Sequence, residues 1–197
     1  MLGEQYLKPN LTKEPNEVAV GKQKLWSKFF VLLAIVSVLL STNLQFFNAS
    51  TSLFVNSLGG TASFTGVLFL LFTIFALVTR IVSGRLVDKH GRRQAIIIGL
   101  VISILSSLAC NLFPFLVALP ILRIIQGIAY SLASTALAVA ITDVVPKQRL
   151  GEGIGYFGLG NSLAQAVGPA CALALIFGKN FKLFTILLLH LLSSALR

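Results

Sequence analysis

The sequence is poor in charge for its length. Asp, Glu, Lys and Arg make up 11% of its 197 residues, whereas hydrophobic residues make up 56%. A soluble domain carries about 25% charged residues, so this chain cannot cover its surface with side chains that suit water. No charged residue occurs between 29 and 79 or between 94 and 122. These absences exclude a soluble globular protein and predict several membrane spans.

Acidic residues are especially scarce. The chain has 6 Asp and Glu against 16 Lys and Arg, which gives a net charge of +10. The acids are Glu4, Glu14, Glu17, Asp88, Asp143 and Glu152, and none lies inside an apolar run. The basic residues lie between the apolar runs rather than on one folded face, so topology in a lipid bilayer explains them. We therefore predict a bilayer as partner and no nucleic acid.

The groups that support enzyme chemistry are also missing. The 2 cysteines, Cys110 and Cys171, lack the C-x-x-C or His/Cys spacing that is typical of a metal site. The sequence has no Gly-rich phosphate-binding loop and no clear pair of nucleophile and base. We predict that the protein is not an enzyme and has no metal site and no cofactor.

Six apolar runs are long enough to be transmembrane helices, since about 20 residues cross the hydrocarbon core. They cover about 29–47, 64–82, 95–113, the stretch between Pro114 and Thr142, 153–177 and 182–196. Backbone groups in lipid must be satisfied within the segment, so we expect helices. The sequence predicts an all-α membrane protein with a flexible cytoplasmic tail, residues 1–24, and a bundle of six transmembrane helices, residues 25–197.

The distribution of basic residues predicts the orientation. If the tail is inside, 13 of the 16 Lys and Arg residues are inside as well. Only Lys179 and Lys182 are then outside, and Arg123 lies within a span. This asymmetry follows the positive-inside rule. We predict a multi-pass protein of the cytoplasmic membrane with both termini in the cytoplasm.

One charged stretch, SGRLVDKHGRRQ at residues 83–94, separates the second and third spans. We predict a cytoplasmic loop, because its charges exclude it from lipid. A plain basic loop does not explain the order of residues. Gly84 suits a turn or a close helix approach, and Gly91 permits a left-handed backbone. Asp88 is a lone acid among bases, which suits a helix cap or an ion pair with Arg.

The order of residues in this stretch resembles the loop motif of the major facilitator superfamily, G-x-L-x-D-[RK]-x-G-R-[RK]. The matching residues are Gly84, Leu86, Asp88, Lys89, Gly91, Arg92 and Arg93. The resemblance covers about residues 25–197. It implies that Asp88 and its basic neighbours latch the cytoplasmic side in one state of an alternating-access cycle, through contact with a helix of a second half.

A second stretch, LRIIQGIAYS, is similar to the fourth-span motif of this family, with Arg123, Gln126 and Gly127 at the matching positions. Two locations for the Arg123 side chain are open. If the helix starts at Pro120, Arg123 lies within one turn of the outer surface and snorkels to water. If the helix starts at Pro114, Arg123 lies about 13 Å deep and faces a cavity or a partner.

The same helix has a candidate pathway face. Arg123, Gly127, Tyr130 and Ser134 follow helical spacing and share one side. The resemblance implies that the first and fourth spans of the family face the pathway. This face is therefore a candidate lining, and Arg123 a candidate for coupling.

The fifth span, GYFGLGNSLAQAVGPACAL, resembles in part the antiporter motif G-x8-G-x3-G-P-x2-G-G. Gly155, Gly168 and Pro169 match, whereas Ala164, Ala172 and Leu173 replace glycines. Gly160, Ala164, Gly168 and Ala172 form a stripe of small residues that lets helices pack closely, and Pro169 permits bending. Plain tight packing and a role in setting the direction of export are both open.

Polar residues within the first and fifth spans are further candidates for cavity lining. They are Ser37, Ser41, Gln45 and Asn48 near one face of the first span, and Asn161 and Gln165 on the fifth. Hydrogen bonds between helices, without contact to a substrate, explain them nearly as well. Residues 48–50, NAS, also fit the glycosylation sequon.

The number of spans sets the functional expectation. Transporters of this kind have two six-helix halves with the substrate between them near the midplane, whereas this chain has six predicted spans. We expect the N-terminal half of a secondary transporter, truncated or needing a second half, that exports an unknown small molecule. Uptake of a metabolite or sugar, an inactive membrane fragment, and a protein that binds other helices through the small-residue stripe are the alternatives. Coupling to H+, if used, rests on Arg123 or on residues outside this chain, since no acid lies in a span.

Overall fold

The described part of the protein is entirely helical. The computed structural model describes residues 25–112 and 117–177. It contains α1 (Lys28–Ser57), α2 (Ala62–His90), α3 (Arg92–Leu112), α4 (Leu119–Val144), a short 3-10 turn (Lys147–Arg149) and α5 (Leu150–Phe177). The predicted tail, residues 1–24, and the predicted sixth span, residues 182–196, lie outside the described residues.

Three helices of the described part are long and apolar enough to cross a membrane. They are Lys28–Ser57, Ala62–Lys89 within α2, and Leu119–Val144. Helix α5 contains the fifth predicted span, and α3 contains residues 95–112 of the third. The prediction of an all-α membrane protein is confirmed, whereas the count of six spans stays a prediction.

Short connections hold the helices antiparallel. The Oγ of Ser27 accepts a hydrogen bond from the backbone N–H of Phe30 and caps α1. Thr61 caps α2 in the same way, through Phe64. Between them the chain reverses at Gly59, whose φ of 74° is a conformation that favours glycine. This reversal lets α1 and α2 follow each other with only four residues between them.

Helix α4 is the centre of the bundle. It packs along α2 on one side and α3 on another, while α1 packs along α5 and also reaches α4. The main apolar core joins α1, α3 and α4, and its buried residues are Val36, Leu40, Leu100, Ile104, Ala133 and Leu137. Small residues set the spacing, since a Cβ added at Gly99 would lie 2.8 Å from the carbonyl oxygen of Ala129. Close backbone contact therefore fixes α3 against α4.

The charged stretch at 83–94 is not the loop that we predicted. Helix α2 continues through it to His90, α3 begins at Arg92, and Gly91 alone separates them. Gly91 has a φ of 87°, the left-handed backbone expected for it. Hydropathy shows where a helix leaves lipid, but backbone hydrogen bonds continue into water when the residues, such as Arg, Leu and Lys, favour helix. Helix α1 likewise extends ten residues past its predicted end at 47, to Ser57, although Asn, Ser and Thr in this stretch are weaker helix formers.

Gly84 does not form the turn that was one of its two expected roles. It lies inside α2, six residues before the helix ends, and a Cβ added there would meet nothing within 4 Å among the described residues. The backbone conformation therefore requires glycine at 91, whereas a close helix approach at Gly84 stays a prediction. We call the end of the bundle at which α2 ends, α3 begins, α4 ends and α5 begins the charged end.

Candidate functional site

An ion pair joins two helices at the charged end. The Nε of Arg92, at the start of α3, lies 2.6 Å from Oδ2 of Asp143, near the end of α4. The side chains are 50% and 42% exposed, so the pair adds little stability, of the order of 0–1 kcal/mol. Below it, Val87 and Ala95 pack with Leu132 and Ala136. Sequence reasoning missed Asp143, because only the fold brings residues 92 and 143 together.

The other charged residues of the motif face outward. Asp88, Lys89 and Arg93 are exposed. Among the residues that the structure describes, Asp88 makes no hydrogen bond or ion pair. Its carboxylate at the end of α2 is therefore available to a group outside the described bundle. Whether Asp88 acts as a latch stays a prediction.

Arg123 is the most deeply placed charge of the described residues. Its side chain is 0% exposed, although α4 begins at Leu119 with Pro120 in its first turn. The Nη1 atom donates to Oδ1 of Asn48 at 2.9 Å and to Oε1 of Gln126 at 3.2 Å. The snorkelling alternative is thus wrong in this structure. The residue turns into the bundle because polar and aromatic partners there replace water.

Aromatic rings surround the same guanidinium. Its central carbon lies 4.5 Å from the ring centroid of Phe47 on α1 and 5.1 Å from that of Phe69 on α2. These distances are within the range for cation–π attraction. Phe47 and Phe69 had no polar signal in the sequence, so sequence reasoning missed both. Together with Asn48 they hold Arg123 between three helices.

The predicted pathway face of α4 lies against α2. A Cβ added at Gly127 would lie 2.6 Å from the carbonyl oxygen of Phe72. The ring of Tyr130 lies 6.0 Å from that of Phe72, and Ser134 accepts a long hydrogen bond from Arg80, at 3.5 Å. Gly127 thus sets the approach of α2 and α4. Tyr130 and Ser134 are only partly buried, and their role in a pathway stays a prediction.

The interface of α1 with α5 has polar contacts along its length. Oδ1 of Asn161 accepts hydrogen bonds from Ser37 at 3.0 Å and from Ser41 at 2.8 Å. Nε2 of Gln45 donates to the backbone carbonyl of Gln165 at 3.4 Å. The structure thus brings Gln45, Asn161 and Gln165 together, as contacts between helices. The side chain of Gln165 itself is exposed.

The small-residue stripe on α5 faces α1. A Cβ added at Gly160 would lie 3.0 Å from Cγ2 of Val38, and one at Gly168 would lie 2.9 Å from Cβ of Gln45. Ala164 between them is buried, at 5% exposure. Gly155 is different, since a Cβ there would meet nothing within 4 Å. Gly155 thus has no packing contact within the described residues and its place in a packing motif stays a prediction, while Ala172 lies where side chains are not described.

Metal binding has no support in the geometry. No group of three or more His, Cys, Asp or Glu side chains comes together within residues 25–112 and 117–177. The acids of this part lie at the charged end, and Asp143 is about 30 Å along α4 from Arg123 at 1.5 Å per residue. The buried Arg123 thus lies far from the acids of the described bundle.

Comparison with known proteins gives the family context. The family model described as Major Facilitator Superfamily matches residues 31–196. An uncharacterized MFS-type transporter of Bacillus subtilis, YvkA, is 32% identical over 108 residues, 55% of this chain and 24% of the relative. The staphylopine export protein of Staphylococcus aureus is 25% identical over 154 residues, 75% of this chain and 38% of the relative.

Another relative has a name that states drug resistance. Multidrug resistance protein 2 of Bacillus subtilis is 30% identical over 104 residues, 53% of this chain and 26% of the relative. The matched part of the chain thus spans between a quarter and two fifths of the length of these relatives.

Proposed function

The chain belongs to the Major Facilitator Superfamily, and we propose that it is the N-terminal half of a secondary transporter that exports a small molecule by alternating access. The observation that carries the proposal is the family match over residues 31–196, together with relatives named for export and for multidrug resistance. The substrate site lies between this half and a second six-helix half. The membrane is the cytoplasmic membrane, with the charged end in the cytoplasm.

The geometry of the charged end supports a latch. Gly91 reverses the chain in one residue, and Arg92 reaches Asp143 on α4. Asp88 is left exposed at the last turn of α2. A carboxylate in this position is free to meet a helix N-terminus or a basic group of the second half. Breaking that contact opens the cytoplasmic side, and forming it closes the same side.

The outer face of α2 supports a further packing partner. Only 11% of an apolar stretch of 18 residues in α2 is buried in the described bundle. The exposed residues include Leu70, Ile74, Leu77, Val78 and Ile81. Lipid covers part of such a face, and we propose that the second half covers the part next to Asp88.

One alternative loses support from the structure. A protein that binds foreign helices through the stripe on α5 needs that stripe to be accessible. Gly160 and Gly168 instead contact Val38 and Gln45 of α1. The stripe packs within this half, so the helix-binding alternative has no free surface there.

Transport in membrane vesicles tests the proposal. We expect everted vesicles from cells that make the native product to accumulate ethidium, and vesicles with Asp88→Asn to accumulate it more slowly. Labelled sugars and amino acids form the second arm of the assay. Accumulation in right-side-out vesicles alone would support uptake, and movement of no probe in either orientation would support an inactive fragment.

The size of the native product tests the second half. An antibody against residues 1–24 should detect a band near twice the 21.2 kDa of this chain in source membranes, if both halves are made as one polypeptide. A band at the size of this chain, with no partner recovered after crosslinking, would contradict the two-half arrangement.

A further inference from the structure

We propose that Gln45 and Asn48 are positioning residues that link the proline-containing part of α5 to the guanidinium of Arg123. The link consists of three hydrogen bonds that join α5, α1 and α4. Its contribution to transport rests on the proposed function, whereas its existence does not.

The buried end is the strongest part. Arg123 donates to Oδ1 of Asn48 at 2.9 Å, and the guanidinium is fully buried. A charged donor makes this bond stronger than a bond between neutral groups. Asn48 therefore sets the place of one guanidinium nitrogen. The sequon at 48–50 is accordingly part of a helix, with its asparagine side chain engaged inside the bundle.

The middle of the link fixes the orientation of Asn48. Its Nδ2 donates to Oε1 of Gln45 at 3.2 Å, one helical turn earlier on α1. The carbonyl end of the Asn48 amide consequently points to Arg123 and the amino end to Gln45. Donors then run in one direction along the link, so that each bond polarises the next.

The outer end depends on Pro169. Gln45 donates to the backbone carbonyl of Gln165 at 3.4 Å. In a regular helix that carbonyl accepts from the N–H of the residue four positions later. Here that residue is Pro169 within α5, and proline has no N–H. Pro169 thus leaves the carbonyl of Gln165 to accept from Gln45.

Gly168 brings the two ends of this contact within reach. A Cβ at 168 would lie 2.9 Å from Cβ of Gln45, so any larger residue separates α5 from α1 at this level. The outer bond is already long and exposed, at 3.4 Å, and breaks first. Glycine and proline at 168 and 169 therefore serve one contact: the first permits the approach, and the second supplies the acceptor. Movement of α5 along α1 then changes the support of Arg123.

A double-mutant cycle tests the link. Asn48→Leu removes its buried end and its middle, and Pro169→Ala restores an N–H to the Gln165 carbonyl. Melting temperatures are measured on the full chain in detergent for wild type, both single variants and the double variant. We expect the effect of Pro169→Ala to differ between the wild-type and Asn48→Leu backgrounds, since residues in one network are not additive. If Asn48→Leu does not fold, Gln45→Leu takes its place in the cycle.

Gly160→Ala is the matched control. It lies on the same face of α5 and also packs on α1, but against Val38, which is outside the link. Its effect should add to that of Asn48→Leu. If the effects of Pro169→Ala and Gly160→Ala on the melting temperature add equally to that of Asn48→Leu, the proposal is overturned.

Transport rates distinguish a positioning role of Asn48 from a role in packing alone. Asn48→Leu should slow ethidium accumulation in everted vesicles about tenfold or more, the value of one bond to a charged group. Asn48→Asp, which keeps an acceptor for Arg123 but loses the donor to Gln45, should give a rate between those of Asn48→Leu and wild type. Equal loss in both variants would contradict a positioning role. If the melting temperatures are non-additive but the chain transports none of the probes, the link is supported and the transport function is refuted.

Discussion

Replacement of Gly127 by alanine tests whether α4 lies against α2 as closely as the structure indicates. The added Cβ would lie 2.6 Å from the carbonyl oxygen of Phe72 and 3.3 Å from the backbone nitrogen of Ala76. Ordinary contacts begin at 3.4 Å, so the helices must separate by about 0.8 Å at this level. Both neighbours are backbone atoms and cannot rotate away.

Two effects of opposite sign compete in this variant. Alanine favours helix over glycine by about 0.5–1 kcal/mol. Overpacking a close interface is unfavourable by about 1–3 kcal/mol. Overpacking wins, and the net loss is about 0.5–2 kcal/mol, or a fall in melting temperature of about 1–8 °C for a chain of this size. Arg123 lies one turn before Gly127, so the same shift disturbs the guanidinium and slows transport.

The assay is thermal unfolding followed by circular dichroism of the detergent-solubilised chain. Gly158→Ala is the control, because the same substitution in α5 meets nothing within 4 Å. It should raise the melting temperature through helix propensity alone. A Gly127→Ala variant that melts at or above wild type would refute the close approach of α2 and α4.

Four further outcomes are expected. Asp88→Asn should slow transport without a change in the melting temperature of this chain, and a lower melting temperature would reveal a partner inside the bundle. Reversing the charge of Arg92 or of Asp143 alone should lower the unfolding free energy by about 1 kcal/mol or less, since the pair is exposed. Exchanging the two charges should restore the wild-type value. Gly91→Ala should destabilise by about 1–2 kcal/mol because its backbone is left-handed, and a neutral result would mean that the reversal tolerates side chains. Arg123→Leu should leave the side-chain oxygens of Asn48 and Gln126 without this donor, each worth about 1–3 kcal/mol of unfolding free energy; unchanged stability together with unchanged transport would exclude a role for the charge.

The membrane class followed from composition alone. Long stretches without charge cannot remain in water, and backbone groups in lipid require helices, so an all-α membrane protein was the expected result. The motif around Asp88 indicated the family, because its spacing is local in sequence and needs no fold to be read. Gly91 was also predictable, since glycine tolerates a positive φ that other residues avoid.

Helix ends and side-chain partners were not predictable in this way. Hydropathy changes where lipid ends, but helical hydrogen bonding does not, so α2 continues to His90. Arg123 close to Pro120 was equally compatible with water or the interior, and the choice depended on Asn48, Phe47 and Phe69 from other helices.

The sequence by itself therefore determined that this is a membrane protein, its helical class and its family, because apolar length and motif spacing are local properties. Tertiary structure decided which residues work together. It paired Arg92 with Asp143, turned the stripe on α5 toward α1, and joined Gln45 to the carbonyl that Pro169 leaves without a helical partner. Those contacts arise between residues far apart in the chain, and only the packing of helices brings them within hydrogen-bonding distance.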